Sequence, residues 1–117
     1  RDVAPSRGLG DVYKRQEKTM INKEWLGKHE GEEVRLVSLM VVDDDQNIEY
    51  AAPLTDKLFL TEAEALAWLK TEDGKAASAK ARRLRKTYVY TSTASYHIED
   101  GEALYEVGAD DSEFMPL

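Results

Sequence analysis

The chain of 117 residues contains no cysteine, which excludes a disulfide framework, a thiolate nucleophile and any zinc site built on Cys ligands. No apolar run approaches the roughly 18 residues needed to span a bilayer, and no signal peptide opens the sequence. A cytoplasmic protein without a membrane partner is the expectation. Large apolar residues are scarce too: Leu, Ile, Val and Phe supply 25 of the 117 positions, just above the level, about 20%, below which a highly charged chain stays disordered. One domain with a modest core is therefore expected. What the chain does have is charge, 16 Lys+Arg against 23 Asp+Glu for a net of -7.

Residues 1–16, RDVAPSRGLGDVYKRQ, hold Pro5, Gly8 and Gly10 and show no helical or strand period, the pattern of a disordered lead. Ser6 to Gln16, SRGLGDVYKRQ, resembles at all eleven positions the in-frame translation of a transposase mosaic-end adapter used to build sequencing libraries. The resemblance implies a non-native leader in which Gly8-Leu9-Gly10 is no phosphate loop. A true start near Met20 and an incomplete C-terminus are the matching expectations. Residues 17–117 carry no family resemblance and are expected to form a single small α+β domain.

Within that body, Asn22 is placed to cap a short helix with Ile21, Trp25 and His29 four apart, ending at Gly31. Val34 to Val42 is apolar on both alternating faces, as in a central strand covered on both sides. Asp43-Asp44-Asp45-Gln46-Asn47 reads as a turn, and Ile48 to Ala52 as a returning strand that stops at Pro53. Thr61-Glu62-Ala63-Glu64 has the form of a capping box opening a helix, with Leu60 stapling onto Ala65 and Asp73-Gly74 as the interruption. Alanines 76, 77, 79 and 81 with Leu84 support a second helix, or a kinked continuation, from about Lys75 to Lys86. Thr87 to Ile98 alternates as a long strand, Asp100-Gly101 supplies a tight turn, and Ala103 to Val107 returns as the fourth strand. Phe114, Met115 and Leu117 are placed to tuck back onto the body. The expected fold is a four-stranded, mostly antiparallel sheet in the order ββααββ, with helices on one face.

Charge is segregated along the chain. Residues 74–98 contain Lys75, Lys80, Arg82, Arg83, Arg85 and Lys86 and no acid, a net +6 against -15 for the remainder of residues 17–117. Arg and Lys in that density suit phosphates or an acidic protein surface. They also complement a helix C-terminus and neutralise the protein's own acids.

Other constellations are poorer. Tyr88, Tyr90 and Tyr96 have the alternation of a stacking platform and equally of a core face. Asp43, Asp45 and Asn47 start like a calcium loop, but Ile48 and Leu54 stand where that loop needs Gly and Glu. His29 lies near Glu30, Glu32 and Glu33, and His97 near Glu99 and Asp100, without the spacing of a metal site. Thr91, Ser92, Thr93 and Ser95 adjoin His97 with no nucleophile elbow. The expectation is a non-enzymatic interaction module that needs no cofactor. It binds a protein partner, or its own copy, through the basic helix; the alternative is nucleic-acid backbone binding by the same residues.

Overall fold

The computed structural model describes residues 21–105 and 108–117. The expected leader, residues 1–16, and the last two positions of the expected fourth strand, Glu106 and Val107, lie outside the described residues. The fold is α+β, with three helices and one antiparallel sheet among the described residues. Its axis is the pair β1 (Glu33–Val42) and β3 (Tyr88–Glu99), joined in unbroken register from Glu33 opposite His97 to Val42 opposite Tyr88. Side chains that face each other across this ladder share a face, so Val37, Leu39, Val41 and Val89 point one way and Leu36, Ala94 and Tyr96 the other. Each set seeds its own core cluster.

On the first face, α2 (Glu62–Trp68) and α3 (Glu72–Arg83) supply Ala65, Trp68 and Ala81, which close over Phe59 and the valines. On the second face, α1 (Lys23–Lys28) lays Trp25 against Leu36, Ala94 and Tyr96. Helices therefore flank both faces, contrary to the expectation of one. The short α1 is positioned by Asn22, whose side chain accepts from Trp25 N at 2.9 Å, and it lays down a half-buried indole rather than a long buried stripe.

The sheet has six strands among the described residues where four were expected. The strand β2 (Ala52–Phe59) pairs with one edge of β1, and three short strands share the free edge of β3 in succession. These are β4 (Glu102–Tyr105), β5 (Asp110–Asp111) and β6 (Met115–Pro116). The observed order is αββααββββ rather than ββααββ. Two-residue strands leave no alternation to read, which is why β5 and β6 escape a pattern search. Arg35 fastens this interrupted edge by reaching across β3 to Gly108 O at 3.1 Å and Asp110 Oδ2 at 2.9 Å. Met115 and Leu117 pack on the first cluster and Phe114 meets Tyr90 edge-on, as expected of the tail.

Four local expectations are corrected. Ile48–Tyr50 is a 3₁₀ turn, with Asn47 accepting from Glu49 N, and the returning strand runs through Pro53 to Phe59. Pro53 is tolerated because β2 is an outer strand, where a missing N–H breaks no second ladder. Between Pro53 and Leu58 the strand bulges, carrying four residues past Leu39 alone.

Half of the capping box forms, Glu64 N donating to Thr61 Oγ1 at 3.2 Å, while the Glu64 carboxylate accepts not from Thr61 N but from Leu60 N, one residue earlier, at 3.4 Å. Leu60 itself, however, packs with Leu36 and Tyr96 on the opposite side of the sheet from Ala65. The break between the two helices falls at Leu69–Thr71 rather than at Asp73-Gly74, which belong to the first turn of α3. Thr71 makes the corner by donating to Trp68 O at 2.6 Å and accepting from Gly74 N at 3.1 Å. Gly74 is buried there because a Cβ would lie 2.1 Å from Trp68 O. The glycine marks close packing, not a helix end.

Candidate functional site

The six cations of residues 74–98 gather on α3 and the turn that follows it. Thr71, Glu72 and Asp73 occupy the start of the helix and Lys80, Arg82 and Arg83 its last turn, so charge complements the backbone dipole at both ends. The helix closes with a double hydrogen bond: Lys86 N donates to Ala81 O at 2.9 Å and Arg85 N to Arg82 O at 3.0 Å. This closure requires a left-handed residue, usually glycine, at the position Arg85 fills with φ 67°. A side chain in that conformation costs of order 1 kcal/mol relative to glycine.

Lys75, Lys80, Arg82, Arg83 and Arg85 are exposed, and Lys86 is half-buried. No carboxylate among the described residues comes within 4.0 Å of any of them; the ion pairs there involve His29, Arg35 and His97. Lys86 instead donates to Tyr50 O at 2.8 Å, which brings the 3₁₀ turn up beside the helix end. Leu84 is 65% exposed, Tyr50 62% and Ile48 48%, so three of the five exposed large apolar residues among the described residues stand at this end of the sheet. Lys75 and Arg82 also line a cleft of about 240 Å³ floored by Leu69, Val89 and Leu117.

Acids are present here as well. Asp44 Oδ1 accepts from the Thr87 hydroxyl at 2.5 Å, and Asp43 Oδ1 from Asp45 N at 3.0 Å. The first carboxylate ties the turn to the start of β3 and the second shapes the turn itself. The run that begins like a calcium loop is thus hydrogen-bonded to protein donors.

Leu84, read in the sequence with the alanines as support for the second helix, follows Ala77 and Ala81 at helical spacing. It is the C-cap of α3, its N–H still donating to Lys80 O at 3.2 Å and Ala81 O at 3.0 Å, and the left-handed turn at Arg85 redirects only the chain that follows it. The only sequence signal of its exposure is its flanking by Arg83 and Arg85.

The remaining candidates fall elsewhere. Tyr90 is 2% exposed and Tyr96 9%, which removes them as a stacking platform. Burial raises the Tyr90 hydroxyl above its ordinary 10.0, aided by Asp111. Burial likewise raises Tyr96 against a lowering hydrogen bond from Ser38. The one fully buried polar residue among the described residues, Thr91, donates to Glu62 Oε2 at 2.8 Å, and the Ser92 hydroxyl donates to Asp111 Oδ1 at 2.6 Å. Glu62 therefore holds a buried hydroxyl rather than a helix cap.

His29 stacks on Trp25 and meets Glu32 Oε1 at 3.0 Å, while His97 meets Glu99 Oε1 at 3.2 Å. Each histidine has one carboxylate, and no group of three metal-ligating side chains forms among the described residues. No helix there is long and apolar enough to cross a membrane. Compared with known proteins, the chain matches no family model, no curated protein and no solved structure.

Proposed function

We propose that the end of α3 is a protein-docking surface, in which Leu84 is the apolar anchor and Lys75, Lys80, Arg82, Arg83 and Arg85 recognise carboxylates around it. The observation that carries this reading is Leu84, 65% exposed between two arginines that no described carboxylate neutralises. One exposed leucine is ordinary on a protein surface, but this one shares its end of the sheet with exposed Ile48 and Tyr50, and protein interfaces combine an apolar centre with a polar, Arg-rich surround. The neighbouring Asp43, Asp44 and Asp45 disfavour a polyanion such as a nucleic-acid backbone, which gains nothing from an aliphatic anchor. A protein surface of mixed charge tolerates them.

The test is titration of the full chain with a short synthetic peptide of glutamates around a central leucine. Saturable binding is expected, weakened at least about tenfold, or 1.4 kcal/mol, by Arg82→Glu, Arg83→Glu and Arg85→Glu together, with circular dichroism unchanged. Binding indifferent to that variant overturns the reading. So does a single-stranded oligonucleotide that binds more tightly than the peptide.

A further inference from the structure

The two ends of the β1–β3 ladder are opposite in chemistry. Nine residue steps of extended chain separate them, about 30 Å, several times the screening length of roughly 8 Å at physiological salt. Each end therefore acts as its own electrostatic surface. At the far end from Leu84, Glu30, Glu32, Glu33, Glu99, Asp100 and Glu102 are all exposed. Glu30 pins them together, its two carboxylate oxygens accepting from Asp100 N at 2.6 Å and Gly101 N at 3.2 Å. The other two exposed large apolar residues, Leu104 and Tyr105, stand on the strand leaving this hairpin.

Between α1, β2 and β4 lies a cleft of about 390 Å³ with Ile21, Leu26, Leu58 and Ala103 as apolar walls and Asp56 and Glu102 on its rim. Lys57 also touches it, and the end as a whole stays acidic.

We infer that the partner of the helix end is a second copy of this chain: Leu84, with the apolar stems of Arg83 and Arg85 beside it, enters the cleft between α1, β2 and β4 of the next molecule, and the two guanidinium groups meet Asp56 and Glu102. The inference rests on the docking reading above and names its partner. A protruding leucine flanked by cations fits an apolar-walled cleft with an acidic rim in both shape and sign. Because knob and cleft are different surfaces of one molecule, the contact is head-to-tail. It leaves one of each free in a dimer and propagates to a ring or an open chain.

Sedimentation velocity of the full chain at rising concentration tests this with two variants at exposed positions. Leu84→Glu removes the knob, and Asp56→Arg with Glu102→Arg reverses the cleft rim. The wild type is expected to grow past a dimer with concentration and to shrink again in high salt. Each variant alone is expected to associate at least tenfold more weakly, while an equimolar mixture of the two forms a dimer and stops there, since the first still offers a cleft and the second a knob. A wild type that remains monomeric, a variant that still assembles alone, or a mixture that does not pair overturns the inference. If self-association fails but the glutamate–leucine peptide still binds the helix end, only the identity of the partner falls; if the peptide fails as well, the docking reading falls with it.

Discussion

At the start of α3, Gly74 lies so close to Trp68 that an added Cβ would sit 2.1 Å from its carbonyl oxygen; at the end of the same helix, Arg85 holds a left-handed backbone that glycine would adopt without strain. One end is dictated by packing, with Thr71 hydrogen-bonded on both sides of the corner and Ala77 and Ala81 set against the sheet. The other end defies the local preferences of the fold twice, once with an arginine at the left-handed position and once with an exposed leucine. The interior gives no reason for either residue. The docking surface proposed above would give one, and backbone strain kept at such a place is commonly tied to function.

Substitutions at the two ends should separate these roles. Gly74→Ala is expected to cost about 3 kcal/mol, through overpacking that the rigid corner cannot relieve, read as a drop in the denaturation midpoint. An unchanged midpoint would show that the corner yields. Alkaline pH attacks the other face of the sheet, where Tyr96 packs with Leu36 and Ala94. Because burial raises Tyr90 and Tyr96 above 10.0 in the folded protein, the unfolded chain gives up its protons first, and the stabilisation fully present below pH 10 is lost as pH rises beyond it. Tyrosinate absorbance is then expected to rise together with loss of circular dichroism, and Tyr96→Phe to move the transition upward.

Thr71→Ala removes the cap and should cost about 1 kcal/mol. At the opposite end, Arg85→Gly is expected to stabilise the fold by somewhat less than about 1 kcal/mol, because strain is relieved although the unfolded chain becomes more flexible. Leu84→Ser should alter stability by no more than about 0.5 kcal/mol, as for an exposed position outside any structural feature. A large loss there would mean that Leu84 belongs to the core after all.

The sequence makes the ladder legible because its signals are long. Val34 to Val42 and Thr87 to Ile98 extend over several alternations, and Asp100-Gly101 announces a turn that the backbone confirms with φ values of 56° and 74°. Signals shorter than one turn or two pairs mislead. Ile48-Glu49-Tyr50 alternates like a strand but is bent by Asn47, and Asp73-Gly74 has the composition of a stop although the glycine serves a contact from elsewhere in the chain. The cations were visible as a cluster. Their meeting with Ile48 and Tyr50 was not, since it depends on the fold bringing Lys86 to Tyr50 across 36 residues. Leu84 was visible as support for the helix, but its exposure was not, because helical spacing does not tell whether another element covers a residue.

The affinity of Arg85→Gly for the glutamate–leucine peptide tests the central claim most directly, since this one change is expected to move stability and recognition in opposite directions. The account predicts binding weakened about threefold in a protein that unfolds at a higher temperature than the wild type. Undiminished affinity in that stabilised protein would contradict it.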